Sequence, residues 1–342
     1  MAKMNEVELK QDIKDGFVRK VYFLYGEEKM LISLYAKKIS DKLMGKNPSD
    51  FNYHIFNENS DIEEIIQSLD IIPFSANYNY VGVDDFNIEK IAESDLKYFL
   101  KALADIPDGT VMVIAMKTLS PTGKKASAWN KLTDCCEKYG ACIEFPRKNT
   151  NDLKRQIVHW ASKRDILLSY ENAQTIIEYT GTDLHNLKNE TDKLCAYVEK
   201  GEVQKKDIDT VITKNLSARV YDMTDAITSG NPVKAFACLD LLFFQREEPI
   251  MILAEIVNTY VDMYRVRLAI ENGMRSGDVA KDFDYKRREF RLKKAERSSS
   301  RLSTEKIAKS LEYIASTNQK MNSSSFDKKF LLEKLITRLI AL

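Results

Sequence analysis

Glycine and proline are scarce in this 342-residue sequence, at 12 and 7, against usual shares of roughly 7% and 5%. Few residues force a turn, so the chain is expected to be rich in helix. Charge of one sign is missing too: 52 Lys and Arg face 51 Asp and Glu, for a formal net charge of +1. A globally basic nucleic-acid binder is excluded, and any DNA contact has to be local. No uninterrupted apolar run approaches the ~20 residues of a membrane span, and residues 1–6 carry no apolar signal core. A cytoplasmic protein without a membrane partner is expected. The five cysteines (Cys135, Cys136, Cys142, Cys195 and Cys238) are odd in number and irregularly spaced, which suits reduced thiols rather than a disulfide framework. A zinc site from Cys135, Cys136 and Cys142 would lack the Cys-x-x-Cys pairs that structural zinc favours, so no metal or other cofactor is expected.

What is present is enough to build cores. With 44% hydrophobic and 30% charged residues, the chain can fold and keep a soluble surface, and its length suits two or three domains. Its first ~145 residues alternate strand and helix signals. Strands are expected at 21–25, 51–56, 80–83, 111–115 and 142–145, the fourth a continuous Val-Met-Val-Ile-Ala run suited to burial on both faces. Helices are expected at 28–44, 61–69, 88–103 and 124–138. Strands joined by helices imply right-handed crossovers and a mainly parallel sheet. This part reads as an α/β domain over 1–146.

After Pro146 no strand is expected. Helices are read at 151–163, 169–179, 182–198 and 207–213, where Leu184, Leu187, Thr191, Leu194 and Val198 form one stripe. A linker is expected around 214–217. Beyond it come helices at 221–228, 232–244, 249–271, 286–297, 304–320 and 326–340, with Pro232 and Pro249 in first turns, where proline is tolerated. The expected division is therefore 1–146 α/β, 147–214 a small helical domain, and 215–342 a larger helical bundle.

Such an architecture raises the question of nucleotide binding, which needs backbone N–H groups from a Gly-rich loop and a Lys-Ser/Thr pair. After the first strand the chain offers Tyr25-Gly26-Glu27-Glu28-Lys29-Met30: one glycine, two carboxylates and no hydroxyl after the lysine. Val81-Gly82-Val83-Asp84-Asp85 looks like the remnant of a magnesium-carboxylate strand. The histidines, His54, His159 and His185, lie on separate elements, and no Ser–His–Asp, Cys–His or His-Glu-x-x-His grouping is readable. No catalytic residue is expected.

The residues nonetheless match a family. The chain resembles the delta subunit of the bacterial DNA polymerase III clamp loader over essentially its whole length. The resemblance is carried by Val21-Tyr22-Phe23-Leu24-Tyr25-Gly26-Glu27-Glu28 with Leu31-Ile32, by Leu69 to Phe74-Ser75, and by Glu144-Phe145-Pro146. It continues through Gly181-Thr182-Asp183-Leu184 with Leu187, Glu190 and Leu194, then Glu247-Glu248-Pro249-Ile250 and Leu332-Glu333-Lys334-Leu335. It implies an AAA+-like module without ATPase function, with a clamp-binding α/β domain, a lid, and a collar that joins a pentameric loader. The implied activity is to bind and open the ring-shaped sliding clamp for loading on primer–template DNA. The implied partners are the beta clamp, the gamma/tau and delta-prime subunits, and DNA. Any polymerase (nucleotidyltransferase) activity would belong to the DNA-directed DNA polymerase holoenzyme, since two-metal nucleotidyl transfer needs converging acids. The alternatives are an atypical AAA+ nucleotide hydrolase and a delta-prime-like sibling, although the sibling's zinc cysteines and Ser-Arg-Cys finger are missing here.

In the family an apolar plug at the end of an N-domain helix enters a pocket on the clamp. The matching positions are Ile71, Ile72 and Phe74 around Pro73. The competing reading is that these side chains close the domain's own core. After Phe74 the chain departs from the family, continuing Ser75-Ala76-Asn77-Tyr78-Asn79-Tyr80 where a second large apolar residue and a basic pair are common. Two basic stretches are candidate DNA contacts. Between Lys281 and Arg301 nine Lys or Arg stand against four acids, with Arg287, Arg288, Arg291, Lys293 and Lys294 the residues singled out. The other groups Lys124, Lys125 and Lys131 with Lys117 near Trp129. Phosphate contacts by such residues make binding salt-dependent; the competing reading is a solvated helix face.

Overall fold

The structure, a computed structural model, describes residues 4–45, 47–74, 76–120, 126–285, 288–323 and 326–342. The chain divides into two compact units, 1–148 and 149–342. Among the described residues no helix is long and apolar enough to cross a membrane.

The first unit runs α1 (Glu6–Asp15), β1 (Val21–Gly26), α2 (Lys29–Met44), β2 (Tyr53–Phe56), α3 (Ile62–Leu69), β3 (Asn79–Asp84), α4 (Glu93–Ala104), β4 (Thr110–Ala115), α5 (Ala126–Tyr139) and β5 (Ala141–Phe145). The five strands form one sheet in the order β2-β3-β4-β1-β5, parallel at every pairing. β4 is buried along its whole length, which explains why its sequence is an unbroken apolar run rather than an alternating one. Ile65 and Leu69 of α3, Phe99 and Leu103 of α4 and Trp129 and Leu132 of α5 share one core with Val21, Phe23, Val81, Met112 and Ile114 of the strands. Each such side chain contributes about 1.5–3 kcal/mol on leaving water. α2 packs on β1, β4 and β5, with the Tyr35 ring stacked on Phe145 at 5.3 Å.

The second unit runs α6 (Thr150–Ser162), β6 (Ile166–Leu167), α7 (Tyr170–Thr180), α8 (Leu184–Val198), β7 (Gly201–Glu202) and α9 (Lys205–Val211). It continues through α10 (Leu216–Thr228), α11 (Pro232–Phe244), α12 (Pro249–Glu271), α13 (Val279–Asp282), α14 (Phe290–Ser299), α15 (Thr304–Ser323) and α16 (Lys328–Ile340). In α8 the expected stripe is inward at Leu184, Leu187, Thr191 and Leu194. α12, with 23 residues, packs against α10, α14, α15 and α16. Its Ile252, Ile256, Tyr260, Met263 and Val266 lie at helical spacing inside the second core.

The fold class read from the sequence holds: a parallel α/β sheet followed by a helix-rich region. Several local features differ. α1 was not expected, because it buries only Leu9; its start is set by an Asn5–Glu8 capping box. The helix expected over 88–103 is broken, since Ile91 and Ala92 are extended between a 3₁₀ turn at Ile88–Lys90 and α4. A two-residue parallel pair, β6 with β7, appears where no strand was expected. The expected linker lies two residues earlier than read, at 212–215: Asn215 already caps α10, its side chain accepting from Ala218 N.

Candidate functional site

Two places follow from the sequence: the loop after β1, where a phosphate would bind, and the exit of α3. At the first, Gly26 has φ 129°, and a Cβ there would lie 2.4 Å from the Phe145 carbonyl oxygen. Only glycine fits so close a backbone approach. The backbone N–H groups of Glu27 and Glu28 both donate to that same oxygen, at 2.9 and 3.1 Å. Donors that would otherwise point at a phosphate are thus engaged by the chain itself. The buried Glu28 carboxylate accepts from Lys148 N at 2.7 Å. Lys29 donates its Nζ to the carbonyls of Met116, at 3.1 Å, and Leu119. Burial pushes its pKa down, with the charge of Asp85 acting the other way.

The two acids after β3 are also engaged. Asp84 pairs with Lys117 Nζ at 2.6 Å. Asp85, at φ 58°, accepts from Thr118 N and Leu119 N at 2.7 and 3.0 Å and from the Thr118 hydroxyl at 2.9 Å. Among the described residues no group of three or more His, Cys, Asp or Glu is placed to hold a metal ion.

The exit of α3 is the opposite case. Asp61 caps the start of the helix by accepting from Glu63 N, and its apolar face sinks Ile65, Ile66 and Leu69 into the core. Immediately beyond, Ile71, Ile72 and Phe74 are 38%, 83% and 69% exposed. Ile72 and Phe74 therefore do not close the core of their own unit, while Ile71 is mostly covered. Pro73 passes beside Gly109, which has φ 87°; a Cβ there would meet Pro73 Cγ at 3.3 Å. Phe51, just before β2 and 72% exposed, sets its ring edge-on to Phe74 at 6.4 Å between centroids. Behind them sits Asn52, only 1% exposed. Its Nδ2 donates to Phe74 O at 2.6 Å and its Oδ1 accepts from Phe74 N at 2.7 Å. Asn79, fully buried, donates to Ser68 O at 2.8 Å. Sequence reading missed Phe51, Asn52 and Asn79.

The basic candidates separate by environment. Lys124, Lys125 and Arg287 lie outside the described residues. Lys131 is exposed and 3.4 Å from Glu93. In α14, Arg291 is turned inward: its Nη1 reaches Glu255 and its Nε reaches Asp262, each at 2.9 Å. Asp262 also accepts from the Tyr285 hydroxyl, which in turn accepts from Arg265 at 3.1 Å. Lys294 pairs with Glu178 at 3.0 Å and lies 5.2 Å from the Tyr221 ring centroid. Arg288 and Lys293 are exposed. Arg288, Arg291 and Lys294 line a cleft of about 190 Å³ together with Glu178, Tyr221 and Glu255. Its lysine and buried arginine already have carboxylate partners, so the basic character read along the sequence is largely neutralised here.

Comparison with known proteins gives a consistent picture. Residues 22–138 match the family model described as DNA polymerase III, delta subunit, and residues 217–339 match the one described as its C-terminal domain. The DNA polymerase III subunit delta of Bacillus subtilis (strain 168) is 22% identical over 334 residues, covering 96% of this chain and 95% of that protein. The solved structure of the Bacillus subtilis DNA clamp loader delta protein superposes with a TM-score of 0.63 at 21% identity, over 98% of this chain and 99% of that one. At that identity the likeness is one of fold.

Proposed function

The chain belongs to the DNA polymerase III delta-subunit family, whose models match more than half of its length, and from that premise we propose that it binds the ring-shaped sliding clamp and favours its open form, without hydrolysing ATP itself. The observation that carries this reading is the α3 exit, where Ile72 and Phe74 stand exposed on a backbone tied to the core. Two or three such side chains, each contributing about 1.5–3 kcal/mol when buried, make a hot spot of the kind that anchors protein interfaces. Opening follows if the plug fits the open ring better than the closed one, since only differential affinity shifts such an equilibrium. The loop after β1 supports the second half of the reading, because its N–H donors and Lys29 are already engaged.

The helical region completes the same proposal: 147–214 acts as the lid and 215–342 as the collar that meets the gamma/tau and delta-prime subunits, with primer–template DNA held by the assembled loader. Of the five residues singled out in the 281–301 stretch, Arg288 and Lys293 are the described ones that are exposed, and they are the proposed phosphate contacts. The test is direct. Purified chain is passed over immobilised clamp without nucleotide, and ring opening is followed by two fluorophores placed across one clamp interface. Nucleotide-independent binding with separation of the dyes is expected. Binding that requires ATP, or no binding at all, removes the proposal.

A further inference from the structure

A core residue spends its whole polar group on an exposed one at the α3 exit. Asn52 is almost fully buried, and its own backbone is fixed, N–H to Ser49 O at 3.0 Å and C=O from Tyr80 N at 2.8 Å. Its carboxamide makes a matched donor–acceptor pair with the C=O and N–H of Phe74. Asn and Gln carry an uncharged donor and acceptor side by side on one carboxamide, and Asn has the shorter reach. A buried amide left without partners is costly, so the two bonds hold each other's participants in place. At the other end of the same segment Asn79 holds the carbonyl of Ser68. Residues 69–74 are therefore held at both ends, from the residue before β2 and from the start of β3, and the Phe74 backbone has its course set before any partner arrives.

We infer that Asn52 is a positioning residue, which presets the backbone of Phe74 in its docking geometry and so removes an ordering cost from binding. The inference rests on the reading that Ile72 and Phe74 dock on the sliding clamp. Its test is a double-mutant cycle on the full chain, with clamp affinity measured for wild type, Asn52→Ala, Phe74→Ala and the pair. Asn52→Ala is expected to weaken binding about tenfold when Phe74 is present and less than about twofold when it is already alanine. A merely structural role would weaken both backgrounds equally; that outcome overturns the inference and leaves the docking reading intact. Wild-type affinity in Phe74→Ala overturns both. Should Asn52→Ala fail to fold, amide hydrogen exchange of the wild-type chain decides. The Phe74 N–H is expected to exchange at least about tenfold more slowly than an unprotected loop amide, and exchange at the unprotected rate overturns the inference.

Discussion

The end of β1 and the end of α3 lie in the same α/β unit and treat their polar and apolar groups in opposite ways. After β1 every group that would meet a ligand is turned on the chain itself: the N–H donors of Glu27 and Glu28 to Phe145, Lys29 to two carbonyls, Asp85 to Thr118 and Leu119. After α3 Asn52 holds the backbone of Phe74 and Asn79 the carbonyl of Ser68, while large apolar side chains are left in water. Closed polar groups at the carboxyl edge of the parallel sheet and open apolar ones at its amino edge are what the proposed docking on a protein partner calls for. α14 repeats the contrast within three residues, with Arg291 turned inward and Lys293 outward.

The sharpest way to break this comparison is Ile72→Ala with Phe74→Ala. Loss of ~1.5–3 kcal/mol per side chain should lower clamp affinity by at least about a hundredfold, with no change in the urea midpoint. A fallen midpoint would mean that these side chains serve the fold. Next, Arg291→Ala leaves Glu255 and Asp262 facing each other without their cation, and should destabilise the chain by about 3–5 kcal/mol in chemical denaturation. A neutral result would show the inward pair to be unnecessary. Gly26→Ala forces a side chain against the Phe145 carbonyl and should cost about 3 kcal/mol of stability, while the remaining folded protein keeps its clamp affinity. The smallest effect belongs to Lys293→Ala, within about 0.5 kcal/mol in stability. If the loader's DNA affinity also keeps the same salt slope in that variant, Lys293 is a solvated residue and nothing more.

Much of the fold was legible because its signals are local. Runs buried on both faces, such as Val111 to Ala115, announce their strands, and Pro232 and Pro249 mark the first turns of α11 and α12 as read. α1 escaped because a helix that buries only Leu9 carries no apolar stripe, leaving Asn5 and Glu8 as its one signature. The helix expected from residue 286 begins at Phe290, since a run of basic residues has no period to place its start. At the site, the identity of Ile72 and Phe74 was readable but their exposure was not. Whether an apolar residue beyond a helix faces inward depends on partners distant in sequence, here Asn52 and Phe51, about twenty positions away.

The long helix α12 has a consequence for how the second unit comes apart. Because one continuous element packs against α10, α14, α15 and α16, none of them can leave without uncovering part of it. Native-state exchange of its central amides, around Ile256 to Met263, should therefore report only joint opening of α10, α12, α14, α15 and α16, while α13, four residues long, frays independently. The helices from α10 to α16 would then behave as one cooperative foldon built on a single strut, able to transmit a displacement from one of its ends to the other without softening between them.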